Sequence, residues 1–279
     1  MERKLTEKII ISFINFLEEE EKSNATISKY KHDICEFKKF AGKNVIDKKV
    51  TLAYKAYLEE KYAASSANSM LAAINAMFKF LGWQDLCVKQ FKVQRRAFIP
   101  EEKELTREEY FRLINCAEQK NNKRLSLIIQ TLCSTGIRIS ELEFITVNAV
   151  KKGQAVVNCK GKTRTIFIVN SLKQKLLNYI KKENIEEGSV FVTKSGKKMN
   201  RSNIWREMKS LCEESNVSHK KVFPHNLRHL FARIFYGLEK DIAKLADILG
   251  HTSIDTTRIY IMTTGAEHKR KMENMRLVI

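Results

Sequence analysis

The chain has 279 residues, 43% of them hydrophobic and 30% charged, a balance that excludes a disordered chain and provides for more than one hydrophobic core. Its 51 Lys and Arg against 32 Asp and Glu give a formal net charge of +19 at pH 7, which favours a polyanionic partner, nucleic acid ahead of an anionic membrane surface. No apolar run approaches the roughly 20 residues of a membrane span. The cysteines at 35, 87, 116, 133, 159 and 212 form no C-x-x-C pair, so neither disulfides nor a zinc site are expected, and the chain reads as cytoplasmic.

In chain order, Leu5, Ile9, Ile10, Phe13, Phe16 and Leu17 recur at helical spacing and run into Glu18, Glu19, Glu20 and Glu21. That pattern predicts an amphipathic helix rather than a signal peptide. A second helix is expected after Asn24-Ala25-Thr26, carrying Ile27, Tyr30, Ile34 and Phe37 and ending near Gly42. A third covers Val50 to Tyr62, and a fourth opens at Ser65-Ser66 and runs through Met70, Leu71, Ile74, Met77, Phe78 and Leu81 to Gly82. Residues 1–92 are therefore expected to form a helical bundle. Because the chain begins directly with that bundle, no further N-terminal domain is expected.

Between Lys89 and Glu102, Gln94-Arg95-Arg96 and Pro100 break the periodicity, and residues 93–104 read as a basic interdomain linker. Such a segment can follow a phosphate backbone or simply be solvated. The second domain, 105–279, opens with Thr106 as an N-cap. It continues with a helix from Lys123 to Cys133, a stop at Ser134-Thr135-Gly136, and a new helix from Ser140 with Glu143 in capping-box spacing. Ala155 to Val157 and Thr165 to Val169 predict a β-hairpin turning at Lys160-Gly161, Val190 to Val192 a further short strand, and everything after Asn200 helices. The expected fold class is mainly α with a small β-hairpin: a helical bundle followed by an α+β domain.

Chemistry gathers in the second domain. Pro224 opens a helix whose Leu227, Leu230, Phe231, Ile234, Phe235 and Leu238 form one apolar stripe, with His225 and Arg228 off it and one turn apart. Such a pair can face a single phosphate, the guanidinium as a fork on two oxygens and the imidazole as a third donor, or it can be a solvated helix face. Asp241 to Leu249 predicts a helix capped by Gly250, and Thr252-Ser253 caps a final short helix holding Asp255, Thr256, Thr257, Arg258 and Tyr260. Alone, that segment reads equally as a helix-turn-helix.

Three stretches taken together resemble the signatures of the tyrosine recombinases, the phage-integrase and Xer-type family. They are Ser134-Thr135-Gly136-Ile137-Arg138-Ile139-Ser140-Glu141-Leu142, then His225-Asn226-Leu227-Arg228-His229, then Leu249-Gly250-His251 followed by Ile259-Tyr260. Order and approximate spacing match, the likeness covers Thr106 to Ile279, and the N-terminal part is similar in size and type to the family's SAM-like core-DNA-binding domain.

The resemblance implies strand cleavage of double-stranded DNA by Tyr260, leaving a 3′-phosphotyrosyl link and a free 5′-hydroxyl. Arg138 and Arg228 would clamp the non-bridging oxygens, and His225 and His251 would donate to the phosphate, His225 also being a candidate to take the tyrosine proton. Lys160 would protonate the leaving hydroxyl, with Lys162 as its rival because the turn Cys159-Lys160-Gly161-Lys162-Thr163-Arg164 is shorter than the family's glycine-flanked version. A tetramer on two DNA sites is implied, the segment from Met262 onward docking on a neighbouring subunit through Leu277-Val278-Ile279; a frayed basic tail is the alternative.

Physical chemistry makes sense of the set. A phenol with a pKa near 10 needs a base or a positive field to attack at neutral pH, and a leaving alkoxide needs a proton. Fixed cations and donors around one phosphate do the work of a metal pair, so no cofactor or metal is implied. His229 reads as a supporting or packing residue, and Glu141 as a brace for Arg138 or a first-turn acid. His32, His219 and His268 are expected at the surface. The sequence fits mobile-element integration or dimer resolution alike. The competing readings are a type IB topoisomerase and a non-catalytic regulator built on the Asp241 to Tyr260 segment.

Overall fold

The structure is a computed structural model that describes residues 3–42, 44–93, 98–159, 162–193 and 195–277; the side chains of Cys159 and Lys162 also lie outside the described set. The chain divides into two compact units, Met1–Arg95 and Arg96–Ile279. The proposed basic linker residues Gln94, Arg95 and Arg96 fall outside the described residues.

In the first unit, α1 (Glu7–Glu19) starts where Thr6 Oγ1 accepts from the Ile9 amide, and it buries Ile10, Phe13 and Leu17 on one face. α2 (Asn24–Ala41) begins earlier than the sequence suggests, because Ser23 rather than Thr26 supplies the N-cap oxygen. α3 (Lys48–Lys61) is capped by Asp47, and α4 (Ala64–Phe80) buries Ala67, Leu71, Ile74 and Phe78. The faces meet in an aromatic centre where the Phe37 ring lies edge-on to Tyr54 at 4.9 Å and to Phe78 at 5.8 Å. Edge-to-face pairs of this kind add to the simple burial of ring area.

In the second unit, α5 (Arg107–Gln119) opens with a capping box between Thr106 and Glu109. α6 (Lys123–Thr135) is buried on nearly every side through Leu125, Leu127, Ile128, Ile129 and Leu132, which makes it the axis of the core. Where a helix from Ser140 is expected, the chain forms a 3-10 helix, Ile139–Phe144, and the capping box runs from Arg138 to Glu141; Glu143 instead pairs with Lys198.

α7 (Val147–Lys152) leads into β1 (Gln154–Cys159) and β2 (Lys162–Phe167), an antiparallel hairpin in which Val157 faces Arg164 and Ala155 faces Ile166. α8 (Asn170–Lys182) follows and packs on α7 and α6. Val190 to Val192 is not a strand among the described residues: Ser189 and Val192 each make one isolated bridge, to Thr146 and Lys198.

The remaining elements are α9 (Arg201–Lys209), α10 (Pro224–Glu239), α11 (Ile242–Leu249), α12 (Ile254–Tyr260) and α13 (Gly265–Asn274). α10 packs its first turns on α6 through Leu227 and Leu230, but Ile234 and Leu238, the far end of the expected stripe, are exposed. After Tyr260, Thr264 bridges Ile99 and caps α13, and His268 lies against Phe98; Val278 and Ile279 of the expected apolar plug lie outside the described residues. No described helix is long and apolar enough to cross a membrane.

Candidate active site

Pro224 sits in the first turn of α10, which puts His225 and Arg228 one turn apart near its N-terminus. The pattern places Arg228 off the apolar stripe, yet its side chain is completely buried. The reason is the end of two other helices. Arg228 donates through Nη1 to the Gly136 carbonyl, at the C-cap of α6, and through Nη2 to the Leu249 carbonyl at 2.6 Å, the last residue of α11. Such carbonyls have no intrahelical donor and carry the negative end of the helix dipole, so they offset the cost of burying a guanidinium. Burial, and then the Arg138 charge, lower the Arg228 pKa to about 10, which still leaves a cation at neutral pH. Its Nε–H has no partner among the described residues.

This packing requires glycine at 136. The residue has φ +64°, and a Cβ there would stand 2.5 Å from the Phe231 ring. α10 can approach the end of α6 only without that atom.

Arg138 is held differently. Its backbone N–H donates to Glu141 Oε2 at 2.8 Å and its Nη1 to Oε1 at 2.9 Å, while the guanidinium remains partly exposed to a cleft. Glu141 is therefore both things the sequence allows, a first-turn acid and a brace. Burial raises the Glu141 pKa, but the Arg138 amide and the Arg164 and Arg138 charges outweigh it and hold the carboxyl below its usual range. The second cation is Arg164 of β2, whose Nη2 reaches Glu141 Oε2 at 2.5 Å and whose Nη1 donates to the Ile248 carbonyl at 2.8 Å.

Tyr260 ends α12 almost fully buried among imidazoles. Its hydroxyl lies 2.6 Å from His225 Nε2, its ring stacks on His229 with centroids 4.2 Å apart, and the His251 ring stands 4.7 Å away. Burial, then the Arg228 and Arg138 charges, push the His225 pKa below its ordinary value, so the imidazole is neutral at pH 7 and has a lone pair for the phenol proton. His229 is lowered to about 4, first by burial and then by His225.

His251 is likewise lowered to about 4, by burial and then by Arg228. Its Nε2 faces Arg228 Nη2 at 3.0 Å and its Nδ1 faces Thr257 Oγ1 at 2.9 Å. Since a guanidinium can only donate, Nε2 is the acceptor and Nδ1 carries the proton in the free protein. The resemblance implies His251 as a donor to phosphate. That role requires an arriving anion to displace Arg228 from Nε2 and raise the imidazole pKa.

Arg138, His225, Arg228, His251 and Tyr260 thus come together. Lys160 lies outside the described residues, as does the side chain of its rival Lys162. The cleft beside the cluster, about 410 Å³, is lined by Arg138, His225 and Arg228 and also by Arg201, Ser202 and Trp205 of α9. These α9 residues, Thr257 and Arg164 escape the motif reading. For Arg164 a signal existed: it shares the inward face of β2 with buried Ile166, where a charge needs a partner. His32 and His219 are exposed as expected, and His268 is exposed with one edge on Phe98.

With that geometry in view, residues 103–267 match the model of the phage integrase family and residues 10–85 that of the phage integrase N-terminal SAM-like domain. The chain belongs to the phage integrase family. Within it, a tyrosine recombinase XerA of Pyrococcus furiosus is 30% identical over 99% of this chain and 97% of its own length. A tyrosine recombinase XerC of Roseiflexus castenholzii is 30% identical over 89% of this chain and 87% of its own length. A lambda integrase dimer bound to a COC' core site has the same fold, with a TM-score of 0.74 at 17% identity over 93% of this chain and 78% of that one. The five side chains brought together all fall inside the matched catalytic segment, as does Lys160.

Proposed function

We propose that this tyrosine recombinase cleaves and rejoins duplex DNA at specific sites through a 3′-phosphotyrosyl intermediate. The observation that carries the reading is the 2.6 Å contact of the Tyr260 hydroxyl with His225 Nε2, beside two guanidinium groups. In the forward step the Tyr260 oxygen bonds to phosphorus and its proton passes to His225 Nε2. The bond to the 5′ oxygen breaks, and that oxygen takes a proton from Lys160. Arg138, Arg228 and His251 stabilise the charge that builds on the non-bridging oxygens. The ester conserves the energy of the broken bond, so rejoining needs neither ATP nor a cofactor.

Residues 1–92 are proposed to act as the core-DNA-binding domain, joined through 93–104 to the catalytic domain of 105–279. The net charge of +19 supports a DNA partner. Following the lambda integrase seen as a tetramer on a Holliday junction, synapsis is proposed to be tetrameric, with the segment from Met262 onward docking on a neighbour. Such an enzyme works where DNA is, in the cytoplasm.

The test uses nicked duplexes from a randomised pool, in which cleavage a few nucleotides 5′ of the nick in the same strand releases the short 5′-hydroxyl piece and so traps the protein covalently. The wild type is expected to form an adduct that survives denaturation, and Tyr260→Phe none, with DNA affinity changed less than about threefold, since the ring and its stack remain. Absence of any wild-type adduct from the pool overturns the reading, and an adduct with Tyr260→Phe overturns the choice of nucleophile.

A further inference from the structure

Arg164 lies on the strand that returns from the hairpin turn, and neither the motif resemblance nor the family match gives it a role. Its position is nevertheless unusual. Strand alternation directs it to the buried face, opposite Val157 and in line with Ile166, and its side chain is only 13% exposed. An inward-facing guanidinium on a strand is retained only where its donors are satisfied.

Its two arms go to two different parts of the site. Nη2 pairs with Glu141, the carboxylate that holds both the backbone and the guanidinium of Arg138. Nη1 donates to the Ile248 carbonyl in the last turn of α11, one residue before the carbonyl that Arg228 takes. α11 carries no basic residue of its own in that turn, so two cations from distant elements satisfy its C-terminus. Directly after that turn come Gly250 and His251. Gly250 has φ +65°, and a Cβ there would meet Arg164 Cδ at 2.8 Å, so the guanidinium stem is packed flat against the turn that aims the imidazole.

We propose that Arg164 is a positioning residue that sets the distance between Arg138 and His251, gripping the brace of one and the turn of the other in a single planar fork. This rests on the recombinase reading for its chemistry, because those two side chains are taken there to meet one phosphate. A Lys at 164 would keep the charge but has no fork, so it cannot hold Glu141 and Ile248 O together.

The test has a part with DNA and a part without. Arg164→Lys and Arg164→Met are compared with wild type on the nicked duplex recovered by covalent capture, with either a phosphodiester or an uncharged methylphosphonate at the scissile position. Both variants are expected to slow adduct formation on the phosphodiester by about 100-fold, the scale of a 1 Å misplacement, with DNA affinity unchanged. On the methylphosphonate, where less charge develops, the loss should shrink to within about tenfold. A variant that merely folds poorly would lose equally on both substrates, and that result overturns the proposal. So does a wild-type rate for Arg164→Lys.

Without DNA, the ring signals of His251 are titrated by NMR in the intact protein. In Arg164→Lys, which keeps the positive charge that itself helps to lower this pKa, the midpoint is expected to move up from about 4 toward the ordinary histidine value as the turn loosens and solvent enters. An unmoved midpoint overturns the positioning role. If the wild type captures no duplex, the recombinase reading fails on its own, and the His251 titration still decides what Arg164 does.

Discussion

The elements that carry Arg138 and His225 are rooted in the main core of the second unit, through Leu132, Ile137 and Leu142 on one side and Leu227 and Leu230 on the other. Tyr260 belongs to a separate and much smaller cluster with Ala232, Leu245 and Leu249. Arg138 and His225 are thus built into a frame that few fluctuations can deform, while the proposed nucleophile rides on short helices with little apolar area to hold them. For a side chain proposed to carry a covalently attached DNA strand, weak anchoring is useful: α12 can shift with its cargo while the clamp stays in place. Arg228 is the seam between the two regions, with one donor on the end of α6 and another on the end of α11.

The largest effect expected from cutting that seam is on stability. Arg228→Met should lower the unfolding free energy in urea by about 3–5 kcal/mol, because it leaves buried helix-end carbonyls unpaired. Arg138→Met should cost no more than about 1 kcal/mol, since its side chain is partly exposed and Glu141 keeps Arg164. Both variants should lose adduct formation. Equal stability losses would show that the two arginines are not held in the different ways described.

A smaller effect is expected from pH. The folded pKa of His229 is depressed to about 4, so its contribution to stability is full above its unfolded value of about 6.5 and is lost as pH falls through the folded value. Thermal midpoints should therefore drop between pH 6.5 and 4. His229→Phe, which keeps a ring against Tyr260, should flatten that drop. An unchanged slope would place the pH sensitivity elsewhere, with His251 the next group to examine.

The smallest effect sharpens the contrast between the regions without any mutation. Amide hydrogens of α11 and α12 should exchange about 10–100-fold faster than those of α6, corresponding to local opening some 1.4–2.8 kcal/mol easier. Equal protection measured by exchange mass spectrometry would mean that the small cluster is as firmly held as the core.

Much of this was legible in the sequence. Periodicity located α1 to α4, α10 and α11, an apolar run located α6, and Gly136 and Gly250 marked true left-handed helix ends. The site residues were recognised from three short stretches, and all those within the described residues gather in one place. Where the sequence misled, a side chain had left its local pattern for a distant partner. Glu143 sits at capping-box spacing from Ser140 but answers Lys198, so the box belongs to Arg138 and Glu141. Arg228 sits on what helical spacing makes an open face, but two helix ends converge on it. Leu238 completes an apolar stripe that the core does not reach.

What the sequence by itself determined was therefore the family, the candidate residues and the helices that carry most of them, since these depend on residue type and on spacing within a few turns. Tertiary structure alone decided which arginine is buried and which stays partly exposed, which nitrogen of His251 bears the proton, and that Arg164 joins two halves of the site. Those properties depend on where helix ends and carboxylates from remote segments arrive, and local periodicity carries no information about distance between segments.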